Sequence, residues 1–371
     1  MENQPQKNKR IVVKFGTGIL TKGIGELDTE RIFHFCDQIA QLRAQDIDVL
    51  VVSSGSIGLG MGKLGLKQRP SELATSQACA AIGQSILMNI WRDGFARHGI
   101  TVAQVLLTHD AVRGRTRHIN TRNMIQTLLE RGVVPIINEN DSVSAKEIQF
   151  GDNDTLSALV TSFAKADKLF IFSTAPGLID MDGSSEIIPV VEKITPEIAN
   201  MAGGTDSPTA VGGMISKISA ARLATRSGAG VFITSGHRKN ALADWFNPRA
   251  PEVTGTLFKP SGTEIDSHKR WLAFFESPAG VIHVDTGARN ALENKGSSLL
   301  AIGITSIKGS FDKKDIVDVC DKEGEVFARG VAQFNSDQLV NIKGLDSEKI
   351  KALYPTQTRF EVLHRDSLVI L

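Results

Sequence analysis

Cysteine, aromatic residues and long apolar runs are all scarce in this chain, and each scarcity removes a class of explanation. The three cysteines, Cys36, Cys79 and Cys320, lie far apart and form no C-x-x-C pair. A reducing compartment is therefore expected, and a disulfide framework is not. Cys36 falls on an apolar helical face and is read as core, not as a nucleophile. No apolar stretch reaches the ~18 residues needed to cross a bilayer, and the polar, basic segment from Met1 to Arg10 has no apolar signal core. A soluble, cytoplasmic protein is expected. Charge of one sign is not in excess: 42 basic against 41 acidic side chains leave a formal net charge of +1. That balance gives no general attraction to nucleic acid or to an anionic membrane. No G-x-x-x-x-G-K-S/T run occurs, which excludes a Walker-type nucleotide site. Repeats and low-complexity tracts are absent as well.

What is present points to an α/β protein. The chain is 371 residues long with 34 glycines, 41% hydrophobic and only 6% aromatic residues, enough for two domains with many tight turns. It is organised around Ile11-Val12-Val13-Lys14-Phe15-Gly16-Thr17-Gly18. The apolar, β-branched run suits a strand covered on both faces. Lys14 and the glycines that follow put a cation and bare backbone N–H groups in one place. Alone, this is either a solvated lysine before a turn or a cradle for phosphate oxygens.

Further strands are expected at 47–52, 100–107, 133–137, 169–172 and 231–234. Helices are expected after Asp28 (an N-cap), over 71–94, 121–130, 151–165 and 214–227. Residues 146–150 read as a hairpin arm, and the polar, basic stretch 108–118 as irregular. Alternating strands and helices predict an open, mostly parallel sheet sandwiched by helices. The polar clusters 14–18, 53–56, 138–141 and 173–174 each follow a strand, so they share the carboxyl edge where such sheets bind ligands. Gly58, Gly60 and Gly62 do not make the Rossmann fingerprint and read as a flexible loop. The pattern changes near Gly262. Residues 1–262 form the first domain, 263–278 a linker, and 279–371 a small β-rich domain. Its expected strands are 281–284, 299–302, 316–319 and 326–331, with turns at 305–309 and 321–324 and a helix at 336–342.

Two more stretches carry chemistry. Gly212-Gly213-Met214-Ile215-Ser216-Lys217 opens a helix, so it is either a glycine hinge or a phosphate site at the positive end of the dipole. Gly151-Asp152-Asn153-Asp154 holds more Asp and Asn than one cap requires. Two lysines converging on phosphate would repel each other, and a carboxylate between them, Asp154, would hold both.

The set as a whole resembles the amino-acid kinase family over essentially the full length, and within it the branch acting on the glutamate side chain. The runs that carry the likeness are Val-Val-Lys14-Phe-Gly-Thr, Ser53-Ser54-Gly55, Ile137-Asn138-Glu139-Asn140-Asp141, Phe150-Gly151-Asp152-Asn153-Asp154 and Gly212-Gly213-Met214 with Lys217. Gly296-Ser297-Ser298-Leu299-Leu300 is similar to part of an appended PUA domain. Sister kinases for aspartate, UMP or carbamate usually lack the Asn-Glu-Asn-Asp and Gly-Asp-Asn-Asp runs. The resemblance implies the following roles. Lys14 and Lys217 neutralise the transferred phosphoryl group, and Asp154 orients them. Ser54, Asp141 and Asn153 bind L-glutamate. ATP lies against Lys14, Ser173, Thr174, Val211, Gly212, Gly213, Met214, Ile215, Ser216 and Lys217, with Mg²⁺ carried by its phosphates and no metal site on the protein.

The resemblance also implies γ-glutamyl phosphate as product, proline as a feedback inhibitor, homo-oligomers, and a downstream glutamate-5-semialdehyde dehydrogenase. The chain departs from the family at Thr174, usually aspartate, at Val211, usually threonine, and at Gly18, usually serine. All three bear on the nucleotide side. The other readings are a sister kinase for another carboxylate or a carbamate, and RNA binding through the C-terminal domain. From Gly280 to Leu371 there are 12 Lys and Arg against 13 Asp and Glu, which is not the basic footprint of an RNA binder. His109 and His118 read as solvated loop residues.

Overall fold

The apolar runs of the first 235 residues become neighbouring strands of one sheet. The computed structural model describes residues 9–108, 115–144, 153–180, 183–201, 213–261, 278–354 and 360–370. The chain divides into two units, Met1–Glu264 and Ile265–Leu371. The first contains, in order, β1 (Arg10–Phe15), α1 (Thr17–Leu20), β2 (Thr21–Gly23), β3 (Glu26–Leu27), α2 (Thr29–Arg43), β4 (Asp48–Ser53), α3 (Ser56–Lys63), α4 (Leu73–Ala96) and β5 (Val102–Leu107). There follow α5 (Arg115–Glu130), β6 (Val134–Glu139), α6 (Asn153–Ala164), β7 (Lys168–Ser173), β8 (Val190–Val191), α7 (Pro196–Asn200), α8 (Met214–Arg226), β9 (Gly230–Ser235), α9 (Ala241–Trp245) and β10 (Thr256–Phe258).

The sheet runs β5-β6-β4-β1-β7-β9-β10-β8. From β5 through β9 every pairing is parallel; β10 turns antiparallel to β9. β1 is central, with Lys14 in register with Val52 on one side and Ile171 on the other. Because these strands are parallel, their carboxyl ends, and the polar clusters that follow them, lie along one edge. One group of aromatic side chains packs around the end of β1. Phe15 stacks on Phe172 with ring centroids 5.4 Å apart and meets Phe35 at 4.3 Å. The buried Trp91 indole donates to Ser53 Oγ at 2.9 Å, tying α4 to the end of β4. Asp28 caps α2 through the Arg31 N–H, as expected. Cys36 is buried in this core, where desolvation pushes its thiol well above the usual range.

Two expectations for this unit are corrected. Gly58, Gly60 and Gly62 are not in a loop; they lie in α3. At Gly60 the poor helix propensity is overridden by contact with α4, where a Cβ would sit 1.9 Å from the Cys79 carbonyl oxygen, just as one on Gly83 would sit 1.7 Å from that of Ser56; a Cβ on Gly62 would instead meet Gly25. Only glycine lets the two backbones approach so closely. The helix expected at Thr121 begins at Arg115. Its first turns lack an apolar stripe, so hydrophobic spacing could not mark the start. Residues 109–114, 145–152, 202–212 and 262–277 lie outside the described residues; they include the expected hairpin arm, His109, Gly151, Asp152, Val211, Gly212 and most of the expected linker. The His118 side chain is likewise not described.

The second unit contains β11 (Gly280–Val284), α10 (Thr286–Lys295), β12 (Leu299–Leu300), β13 (Ile304–Lys308), β14 (Ile316–Cys320), β15 (Val326–Ala332), α11 (Ser336–Ile342), α12 (Ser347–Leu353) and β16 (Glu361–Ile370). They form a sheet ordered β12-β16-β15-β14-β11-β13 around a core that includes Ile282, Val317, Phe334 and Val362. Residues 305–309, expected as a turn, belong mostly to β13, an edge strand whose exposed Thr305 and Ser306 hide the pattern. The strand expected over 299–302 stops at Leu300 and continues as a 3₁₀ turn from Ala301 to Gly303. α11 matches its expected range and carries a capping box from Asn335 and Gln338. Among the described residues no helix is long and apolar enough to cross a membrane.

Candidate active site

Lys14 enters from the end of β1 and Lys217 from the first turn of α8, and both reach Asp154 in the first turn of α6. Lys14 Nζ donates to Asp154 Oδ1, and Lys217 Nζ to Oδ2 at 3.1 Å. Exposure is 0% for Asp154, 5% for Lys14 and 6% for Lys217. Two cations out of water need the anion between them, because burying an unpaired charge is far more costly than burying a matched one. Burial would raise the Asp154 carboxyl; the two ammonium groups outweigh it and hold the group below its ordinary value. Asp154 is fixed by its helix, whose following residues from Leu156 to Ala164 are all buried.

Ser216, which the resemblance assigns only to the nucleotide, adds a contact to this cluster. Its Oγ lies 2.9 Å from Asp154 Oδ2 and 2.8 Å from the Gly213 carbonyl oxygen. Gly213 is the N-cap of α8, so the loop before that helix and the lysine pair share one hydroxyl. Ser173, at the end of β7, is buried and its Oγ accepts from the Ala175 N–H at 3.0 Å. Two separate departures meet here: a Cβ on Gly18 would lie 3.1 Å from Thr174 Cγ2. Met214 and Ile215 form the start of α8, with Ile215 exposed.

On the other side of Lys14 the polar groups form a network. Asn153 Nδ2 lies 2.9 Å from Ser54 Oγ, 3.1 Å from the Ser53 carbonyl oxygen and 2.8 Å from Asn138 Oδ1. Ser54 is followed by Gly55 at φ +107°, a left-handed turn that suits glycine and swings the chain into α3. Ser56 Oγ donates to Asp141 Oδ2 at 3.4 Å. Burial raises the Asp141 carboxyl, only partly countered by Arg69 and Ser56. A cavity of about 320 Å³ is lined by Ser56, Gln84, Glu139, Asn140, Asp141 and Ser142, among others.

Thus Lys14, Asp154, Ser216 and Lys217 are brought together, and Ser54 and Asn153 are bonded to each other. Asp141 joins them through Ser56 and Asn138. Asn138 and Gln84 had no assigned role. Asn138 is the next-to-last residue of β6, at the carboxyl edge of the sheet, which is a readable signal. Gln84 is a polar residue on the buried stripe Ala80, Gly83, Leu87 and Trp91, a second such signal.

The model of the amino acid kinase family matches residues 9–235. The chain belongs to the amino acid kinase family. A PUA domain model matches residues 280–354. A glutamate 5-kinase of Syntrophotalea carbinolica is 44% identical over 366 residues, covering 98% of this chain and 97% of that one. Glutamate 5-kinases of Pelobacter propionicus and Trichlorobacter lovleyi are 41% and 40% identical, each covering 99% of this chain and 98% of theirs. Within this amino acid kinase, the matched region spans every element that carries Lys14, Asp154 and Lys217.

Proposed function

We propose that the chain transfers the γ-phosphoryl group of ATP to the side-chain carboxylate of L-glutamate, giving γ-glutamyl phosphate for proline biosynthesis. The observation that carries this reading is the pair of buried ammonium groups sharing Asp154 at the carboxyl edge of a parallel sheet. Such a pair suits phosphate oxygens, and the adjacent start of α8 adds backbone N–H groups and the positive end of a dipole. Bound Mg²⁺–ATP supplies the phosphoryl group and part of its charge neutralisation. Lys14 and Lys217 stabilise the negative charge on the equatorial oxygens during in-line transfer, and Asp154 keeps both aimed. Ser173, Thr174 and residues 211–217 form the nucleotide side.

Ser54, Asp141 and Asn153 hold glutamate, with the Asp141 carboxylate taking its ammonium group. The nucleophile is a carboxylate, already ionised at neutral pH, so no general base is required. The same reading brings with it proline as a feedback ligand, a homo-oligomeric kinase domain in the cytoplasm, and a dehydrogenase that consumes the labile acyl phosphate. ADP release measured with glutamate, aspartate, N-acetylglutamate and carbamate tests the substrate. Glutamate is expected to be strongly preferred; preference for any of the others overturns the assignment.

A further inference from the structure

We infer that Gln84, on α4, is a positioning residue for the amino-acid substrate, acting through Asn138. The inference rests on the reading of the chain as a glutamate kinase and adds a residue to that site.

Donors and acceptors fix the orientation of each amide in the network. The Glu139 backbone N–H lies 2.9 Å from one terminal atom of the Asn138 side chain. A backbone N–H can only donate, so that atom is the amide oxygen. Asn138 Nδ2 therefore faces the other way, 2.8 Å from Gln84 Oε1 and 3.4 Å from Ser56 Oγ. With Ser56 Oγ accepting from Asn138, its single proton is available to Asp141. Asn138 Oδ1 also receives Asn153 Nδ2 at 2.8 Å, the same amino group that lies 2.9 Å from Ser54 Oγ.

One amide thus sets the orientation of all three proposed glutamate-binding side chains, Ser54, Asp141 and Asn153. The Glu139 N–H fixes which end of Asn138 faces which way. Gln84 fixes where the amino end sits, since the other contact, to Ser56, is long. Gln84 is only 8% exposed and lines the cavity beside Asp141. Among the described residues its Nε2 has no hydrogen-bond partner, and neither does Asn153 Oδ1. A buried glutamine on an otherwise apolar helix stripe, with its amino group unpaired among the described residues, is poorly explained by stability alone. Holding Asn138 in place accounts for the acceptor half, Oε1, which is the half that the site uses.

The test is a double-mutant cycle on the full chain with Gln84→Met and Asn138→Ala, read as KM for glutamate, KM for ATP and kcat. Gln84→Met should raise the glutamate KM about tenfold, the loss of roughly one well-made hydrogen bond, and leave the ATP KM within about twofold. In the Asn138→Ala background the Gln84 substitution should have little further effect, because its route is already cut. Additive penalties, an unchanged glutamate KM, or equal losses for glutamate and ATP would overturn the inference. If Gln84→Met does not fold, Gln84→Asn, which retracts the acceptor by one methylene, enters the same cycle. Absence of glutamate turnover in the unaltered chain would instead overturn the kinase reading, so the two failures are distinguishable.

Discussion

Asp154 Oδ2 accepts from Lys217 Nζ at 3.1 Å, although 63 positions separate them, and its other oxygen takes Lys14 from 140 positions away. One carboxylate therefore connects the central strand to the first turn of α8. Lys217→Ala should lower kcat by ~10²–10³, the range for losing one preorganised charge-stabilising donor. Asp154 keeps Lys14, so the variant should remain folded. Steady-state kinetics beside a circular-dichroism melt checks both halves; a turnover near that of the unaltered chain would remove Lys217 from the mechanism.

Asp154→Asn should be worse for stability than either lysine substitution, because it leaves two buried cations facing a neutral amide. Breaking a buried pair typically costs about 3–5 kcal/mol. The carboxyl is held below its ordinary value, so its contribution is full above the ordinary carboxylate range and fades as pH falls through the depressed value. Urea unfolding should show the penalty at neutral pH and a smaller one in strong acid.

Asp141 has the opposite sign. Its carboxyl is raised by burial, so the folded state binds the proton more tightly than the unfolded chain and ionised Asp141 costs stability at neutral pH. Asp141→Asn should raise Tm at neutral pH, with the gain disappearing below the ordinary carboxylate range, while glutamate KM rises sharply. A Tm difference that does not vary with pH would contradict the assignment of the shift.

The α3–α4 contact separates two glycines of the same helix. Gly60→Ala would drive a Cβ into the Cys79 carbonyl and should destabilise by about 3 kcal/mol or more. Among the described residues nothing lies within 4 Å of where a Cβ on Gly58 would sit, so Gly58→Ala should be neutral or stabilising by ~0.5–1 kcal/mol. Denaturant midpoints of the two variants decide it.

Much of the kinase unit was legible because its strands are continuous apolar runs and its candidate site residues sit at strand ends or in the first turns of helices. The rule that parallel strands present one ligand-binding edge did the rest. Legibility failed where long-range contact overrode local preference. The glycines of α3 read as loop because the close approaches that use Gly60 and Gly62 are to Cys79 and Gly25, outside their own segment. In the second unit, β16 was missed because His364, Arg365 and Asp366 interrupt its apolar pattern, and α10 because it has no clear apolar stripe. Asp285, which caps α10 through the Ala288 N–H at 2.7 Å, was its one readable signal. At the site, Ser216 and Gln84 were not assigned to these contacts because a hydroxyl and an amide acquire meaning only from the atoms opposite them.

The central claim is that this lysine–carboxylate–lysine cluster builds an acyl phosphate on glutamate. Hydroxylamine trapping reads that product directly, as γ-glutamyl hydroxamate formed in the presence of ATP, Mg²⁺ and glutamate. The unaltered chain should form hydroxamate in step with ADP, and Lys217→Ala should form almost none. ADP release without hydroxamate, or equal hydroxamate from both proteins, would contradict the account.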